Sequence, residues 1–251
     1  MDKLCLPGDR VVVVTGAGSG IGLAIAERFV EAGDKVVLAF FGDDRAVREL
    51  SRKHPGGDGC VLLRDVDVSD IQQCDDLVSA AQAHFGRVDV LVTCAGTAIW
   101  GPSHSFSWDS YDRLLTTNLR GTFACIRAAL PGMVERGAGR IITISSELSL
   151  VGTAEAAIYT ATKGAINSLT RSLAREYAPH GVLVNCVAPG PTHTPMMENS
   201  PEFHDPKFKE AIPLHRFGLP SEIAGAVAML AGPDGAFFVG QIISPNGGAA
   251  M

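Results

Sequence analysis

Tyr159 and Lys163 stand four residues apart in the run Ala157-Ile-Tyr-Thr-Ala-Thr-Lys-Gly-Ala-Ile-Asn-Ser-Leu-Thr. On a helix that spacing projects both side chains from one face, so a phenol and an ammonium can share a site. A tyrosine ordinarily titrates near ~10, too high for proton exchange at neutral pH, and a neighbouring cation lowers that value by stabilising the phenolate. Proton transfer near pH 7 is the chemistry the pair could do. Tyr and Lys at this spacing also occur on ordinary helices, so the rest of the chain must decide.

A second cluster is Thr15-Gly-Ala-Gly-Ser-Gly-Ile-Gly22. Glycines let a backbone approach a pyrophosphate closely, and a helix that begins inside such a turn offers free N–H groups and partial positive charge. The common G-x-G-x-x-G spacing fails, because Ile21 or Leu23 falls at its third glycine. T-G-x-x-x-G-x-G fits instead, with Gly16, Gly20 and Gly22. The bland reading is a tight structural turn; a preceding strand and a following helix would favour phosphate.

Those flanking elements are legible. Arg10-Val-Val-Val-Val-Thr15 reads as a strand buried on both faces, and Ile21 to Ala32 as a helix with apolar residues at Ile21, Ala24, Ile25 and Phe29, stopped by Gly33. Strands follow at Lys35 to Phe41, Cys60 to Val66 and Val88 to Thr93, with helices near Ala46 to His54 and Ile71 to Phe85 between them. A long helix is expected from Trp108 to Glu135, with Pro131 able to kink or break its last turn. Gly139 to Ser146 is a strand ending in hydroxyls, the Tyr159 helix runs to Tyr177, and Gly181 to Ala188 is a strand. A helix with Ser221 as N-cap runs to Ala231, and a short strand begins at Gln241. Alternation of this kind, with strands apolar throughout, predicts an α/β fold: a Rossmann-type doubly wound parallel sheet with helices on both faces.

Composition narrows the partners. A chain of 251 residues with 46% apolar content suits one domain over residues 1–251. Pro189 to Pro220 holds seven prolines and three histidines, which makes 191–215 a candidate substrate lid. The formal net charge is -6 and no Lys/Arg cluster tracks a phosphate backbone, so nucleic acid is not expected as a partner. Without a signal core or a long apolar run, a soluble cytoplasmic location and no membrane partner are expected. Cys5, Cys60, Cys74, Cys94, Cys125 and Cys186 are scattered without a C-x-x-C pair, the seven histidines show no ligand spacing, and no metal is expected.

Taken together, the motifs resemble the short-chain dehydrogenase/reductase family over nearly the whole chain. They are Thr15-Gly-x-x-x-Gly-x-Gly22, Asp67-Val68, Cys94-Ala-Gly96, Asn118-Leu-x-Gly121, Ser146 thirteen residues before Tyr159, Tyr159-x-x-x-Lys163, Pro189-Gly190 with Thr194, and Gly247-Gly248. The resemblance implies an NAD(P)-dependent enzyme that interconverts a ketone and a secondary alcohol by hydride transfer. It gives Tyr159 the proton, Ser146 a hydrogen bond to the reacting oxygen, and Lys163 the lowering of the Tyr159 pKa and a bond to the nicotinamide ribose. Asn118 would hold a water linking Lys163 to solvent. Gly16, Gly18, Ser19, Gly20, Ile21 and Gly22 would cradle the pyrophosphate, Asp67 and Val68 flank adenine, and Ala95 and Gly96 the adenosine ribose. Pro189, Gly190, Thr192 and Thr194 would hold the nicotinamide.

Two positions depart from the family. Cys94, after Thr93, replaces the usual Asn and could still end its strand against the cofactor; as a nucleophile it lacks an evident base. Phe40 stands where NAD-preferring relatives carry Asp, and Ser19 where many NADP-preferring ones carry Arg or Lys. The missing acid favours NADP(H) slightly over NAD(H), with Arg45 or Arg48 able to reach a phosphate and Asp43 able to repel it.

Ile99, Trp100, Glu147 to Thr153 and the 191–215 stretch should surround the substrate, with Trp100, Met196, Met197 and Phe203 as an apolar wall, though these side chains could equally pack a lid. Glu147, next to Ser146, and Glu155 could contact a polar or cationic substrate group, but solvated carboxylates are the expectation. The family suggests a homo-oligomer, tetramer favoured, with Ala156, Ala157, Ala161, Gly164 and Ala165 permitting close helix packing. A cofactor-binding sensor without catalysis is the main rival, and a sugar-nucleotide epimerase or dehydratase a lesser one. The catalytic reading predicts that Tyr159→Phe loses most turnover and keeps cofactor binding, as measured by kcat beside cofactor titration; near-native kcat would refute it.

Overall fold

The computed structural model describes residues 8–54, 56–198, 200 and 204–251. Cys5 and Phe203 lie outside the described residues.

Seven parallel strands form one sheet in the order β3-β2-β1-β4-β5-β6-β7. They are β1 (Val11–Thr15), β2 (Lys35–Phe40), β3 (Val61–Asp65), β4 (Val90–Thr93), β5 (Gly139–Ile144), β6 (Val182–Val187) and β7 (Ile242–Ile243). Side chains alternate across a strand, and β1 shows what that does: Val12 and Val14 enter one apolar core while Val13 enters another. Both faces are therefore covered, which is why β1 reads as an uninterrupted β-branched run. α1 (Gly20–Glu31) and α10 (Pro220–Ala231) cover the first face through Ile25, Phe29, Ile223 and Val227. On the second, α3 (Ile71–Phe85) and α5 (Thr122–Arg136) contribute Leu77, Val78, Ile126 and Met133, joined by Leu173 of α7 (Ala157–Tyr177).

Local chemistry sets the helix ends. The Asp70 carboxylate accepts from the N–H groups of Gln72 and Gln73, starting α3, and left-handed Gly86 stops it. α2 spans Arg45–Ser51, shorter than expected, because His54 leaves the helix to bond the Asp34 carbonyl with Nε2 at 2.7 Å. α10 begins with Leu219 as N-cap rather than Ser221. Pro220 occupies its first turn, where a missing N–H costs nothing, and Glu222 reaches back to the Leu219 N–H at 2.8 Å.

The long central helix differs from expectation. α4 (Trp108–Leu114) and α5 are joined by a π-helical segment, Leu115–Gly121, and the helix continues through exposed Pro131 to Arg136. The π segment places Asn118 inward and fully buried. Gly121 ends that segment against Val68, whose carbonyl oxygen would stand 2.5 Å from any added Cβ. α6 (Leu148–Val151) follows β5, and α8 (Pro195–Glu198) and α9 (Pro206–Glu210) are the short helices of the proline-rich stretch.

At the amino end of the sheet Arg10 and Asp34 form a buried ion pair, Nη2 to Oδ2 2.6 Å and Nε to Oδ1 3.1 Å, with the guanidinium 5.5 Å from the Phe29 ring centroid. The opposite, carboxyl end gathers the loops. Strand order reverses between β1 and β4, and at such a switch point the loops diverge and leave a crevice. No helix among the described residues is long and apolar enough to cross a membrane.

Candidate active site

A cavity of about 1010 Å³ runs along the carboxyl ends of the strands. One end is lined by Phe40, Phe41 and Asp43, the middle by the glycine loop, and the other end by Ser146, Tyr159 and Lys163. All the expected cofactor residues line it: Gly16, Gly18, Ser19, Gly20, Ile21, Gly22, Phe40, Asp67, Val68, Cys94, Ala95, Gly96, Tyr159, Lys163, Pro189, Gly190, Thr192 and Thr194. Asn118 lies behind them.

The glycine loop is held by close backbone approach. Gly16 has φ +70, and a Cβ there would sit 2.8 Å from the Ala95 backbone; one on Gly22 would sit 2.0 Å from the Gly16 oxygen. The Thr15 hydroxyl receives the N–H groups of Cys94 and Ala95, each at 3.1 Å, tying the ends of β1 and β4 together. Thr15 was legible only as a motif letter; its role as a tie was not. Ser19 caps α1 without a side-chain hydrogen bond and the first turn carries no acid, so its N–H groups and dipole suit an anion. With the glycine loop, Asp67 and Val68, and Pro189 to Thr194 all lining one cavity, these residues fit a dinucleotide.

Lys163 is buried on α7 and donates from Nζ to the Ile144 carbonyl at 3.0 Å. Ser145 accounts for part of its placement, since its hydroxyl donates to the Lys163 carbonyl at 2.9 Å. Asn118 Oδ1 accepts the Thr97 N–H at 2.8 Å, while Nδ2 donates to the Thr97 carbonyl at 2.9 Å and to Thr162 Oγ1 at 3.2 Å. Its side chain thus clamps the segment after β4 to α7. Gly96 is small because Asn118 Oδ1 and Lys163 Nζ would lie 3.2 and 3.5 Å from a Cβ there.

Tyr159 carries Trp100 against it, with ring centroids 5.9 Å apart. Its pKa does not follow the sequence expectation. Burial pushes the phenol up to about 12, a hydrogen bond with Ser146 opposing and the charge of Glu147 adding to the rise. Lys163 Nζ stands 5.8 Å from the Tyr159 ring centroid, and burial moves its own pKa down. In this geometry desolvation is the largest influence on the phenol, so Tyr159 holds its proton.

Glu147 is the other correction. It is 6% exposed rather than solvated, and its Oε2 accepts the Ser146 hydroxyl at 2.9 Å. Burial raises its carboxyl to about 7, against the hydrogen bonds from Ser146 and from the N–H groups of Glu147 and Leu148. Glu155 is exposed as expected, with φ 60. Cys94 is pushed up to about 11 by burial, which makes it a poor nucleophile.

Trp100, Met196 and Met197 line the cavity, as do Phe208 and Ile212 of the 191–215 stretch, which the sequence did not single out within it. Thr194 closes over the glycine loop, its Cγ2 3.1 Å from where a Gly20 Cβ would be.

These features define a nucleotide-binding oxidoreductase, and comparison with known proteins agrees. A family model described as Enoyl-(Acyl carrier protein) reductase matches residues 16–250. The chain belongs to the short-chain dehydrogenase/reductase family. It is 37% identical to 2-(R)-hydroxypropyl-CoM dehydrogenase of Xanthobacter autotrophicus over 95% of this chain and 97% of that protein. It is also 37% identical to cis-4-hydroxycyclohexanecarboxylate dehydrogenase of Sinomonas cyclohexanicum, over 96% of each. A solved variant of a Serratia marcescens short-chain dehydrogenase/reductase superimposes with TM-score 0.90 at 33% identity, covering 98% of this chain and 100% of that one. The protein is an NAD(P)-dependent enzyme that interconverts a ketone and a secondary alcohol.

Glu147 also makes stability depend on pH. Its folded pKa, about 7, lies above the ordinary value of 4.5, so the folded state binds the extra proton and stability falls as pH rises from 4.5 to 7. Glu147→Gln has no such loss. Denaturant titrations should show the variant gaining on the unsubstituted chain by up to about 3 kcal/mol between those pH values. A gap that stays constant with pH would contradict the burial of an ionisable carboxyl.

Proposed function

We propose that Tyr159 transfers the proton and Ser146 holds the reacting oxygen, with Lys163 and Asn118 positioning the cofactor side of the site. The observation that carries this reading is that Ser146, Tyr159 and Lys163, from two different elements, line one end of the cavity that begins at the glycine loop. The bound nicotinamide supplies or accepts hydride and, when oxidised, carries a positive ring. This chain's residues do the rest. In reduction, Tyr159 O–H gives its proton to the oxygen as charge develops, and Ser146 Oγ–H donates to the same oxygen. In oxidation, Tyr159 takes the alcohol proton. Burial raises the phenol, so Tyr159 carries its proton when reduction begins and gives it up only as charge develops on the substrate oxygen.

Lys163 would meet the nicotinamide ribose, and the Thr192 to Thr194 segment the carboxamide. Asn118 acts through its clamp on Thr97 and Thr162. The 191–215 segment serves as a lid over a small or medium ketone, with Trp100, Met196 and Met197 shielding the reaction from water. Loss of catalysis is not favoured, because a binding protein would need the loop but not a Ser-Tyr-Lys group gathered at one end of the cavity.

NADP(H) is the preferred cofactor in this reading. Phe40 ends β2 where an acid would accept the ribose, and Asp43, a carboxylate that lines the cavity beside it, is already paired with Arg45 at 2.6 Å. That pairing holds Asp43 down at about 2. The exposed Arg45 guanidinium can turn to a 2′-phosphate, a change worth up to about fivefold for an exposed pair. The enzyme is further proposed to act in the cytoplasm as a homotetramer. Ala157 and Ala161 of α7 are exposed, as are Trp108 of α4 and Phe123 of α5, although Ala156, expected at that surface, is buried.

Reduction of acetophenone, cyclohexanone and ethyl acetoacetate, followed by nicotinamide absorbance, should show turnover, with higher kcat/KM for NADPH than for NADH. Arg45→Ala should lower only the NADPH value, by about fivefold. Binding of both cofactors with no turnover would favour the sensor, and a strong NADH preference would assign Asp43 to the ribose. Gel filtration should give a species well above the 26.3 kDa chain.

A further inference from the structure

Glu147 has no task in the reaction assigned above, yet it is buried, lines the cavity and accepts the Ser146 hydroxyl at 2.9 Å. A serine hydroxyl has one proton to donate. In the structure the Glu147 carboxyl receives it, whereas the oxygen of a carbonyl under reduction needs it as negative charge develops. The Leu148 N–H meets Ser146 Oγ at 3.2 Å, so the oxygen is held in place while the O–H remains free to rotate. We propose, resting on the reading of Ser146 given above, that Glu147 is a positioning residue whose protonation sets the direction of the Ser146 hydroxyl. Protonated, the Glu147 carboxyl donates to Ser146 Oγ and turns the serine proton towards the substrate oxygen. Ionised, it keeps that proton for itself.

The surroundings leave both states within reach. α7 presents Tyr159 and Lys163, the end of β4 presents Cys94, α4 presents Arg113 across the cavity, and the turn after β5 presents Ser146 and Ser149. From the segment after β6, the Pro189 carbonyl accepts the Glu147 N–H at 3.0 Å. Lys163 gives its ammonium to the Ile144 carbonyl. Burial raises the Glu147 carboxyl to about 7, and its ionised charge pushes the Tyr159 phenol further up. Ionisation therefore withdraws the Ser146 donor and weakens Tyr159 as an acid together.

The test is kcat for the fastest of the three ketones, at saturating cofactor and ketone, between about pH 5.5 and 9. The unsubstituted enzyme should lose about tenfold per pH unit above its midpoint, with KM changing little. Glu147→Gln, whose amide always has a proton to give Ser146 Oγ, should stay within about threefold across the range. Infrared difference titration provides a readout that needs no turnover. A carboxylic C=O band missing from Glu147→Gln should titrate near the same midpoint and shift to higher pH in Ser146→Ala, which lacks the donor to the carboxylate. A Glu147→Gln profile that copies the unsubstituted one overturns the proposal, as does a band unmoved by Ser146→Ala. If Ser146→Ala turns over at the unsubstituted rate, the reading of the site falls too; if it is inactive while Glu147→Gln copies the profile, only the role of Glu147 falls.

Discussion

A lysine ammonium held in the interior at the end of β5 is the constraint on which the site depends. Lys163 Nζ meets the Ile144 carbonyl at 3.0 Å, and a buried charge is tolerable only where such partners are already in place. That requirement fixes α7 against the sheet. The Thr143 and Thr170 hydroxyls join at 2.8 Å, Ser145 takes the Lys163 carbonyl, and Asn167 Nδ2 donates to Ser149 at 2.7 Å. Each of these bonds ties α7 to β5, to the turn after it or to α6. With α7 so placed, Tyr159, one turn earlier, can only face the cavity. Burial then acts on every ionisable group there, raising Tyr159 and Glu147 and lowering Lys163. The site favours neutral forms, which suits groups that must pass a proton rather than hold a charge.

The glycines serve the same end from the other side. Gly16 against Ala95, Gly121 against Val68 and Gly190 against Asn246 bring backbones closer than any side chain would allow. These approaches close the carboxyl edge of the sheet into a wall with one opening, at the reversal between β1 and β4. A doubly wound sheet leaves its crevice there because successive helices cross to opposite faces. The glycine loop and the Ser146, Tyr159 and Lys163 side chains thus share one cavity as a consequence of topology.

Much of this was legible in the chain. Strands of a sheet covered on both faces are apolar runs, and Gly16, Gly20 and Gly22 together with Tyr159 and Lys163 announce themselves by local spacing, so fold and reaction class followed. What stayed hidden was non-local. Asn118 was named as a site residue through the family resemblance, but only the π segment shows that it turns inward to bond Thr97 and Thr162. Glu147 read as a solvated acid, since nothing in Ser-Ser-Glu-Leu-Ser reports that Pro189 and α7 close over it.

By itself, then, the sequence determined the order of strands and helices, the glycine-rich loop and the pair for which proton transfer is proposed, because each depends on residues close in the chain. Tertiary structure alone decided the protonation tendencies. A pKa responds to how many atoms of any origin displace water from a group, and residues from β4, β5, α7 and the loop after β6 meet around Tyr159 and Glu147 only in the folded state.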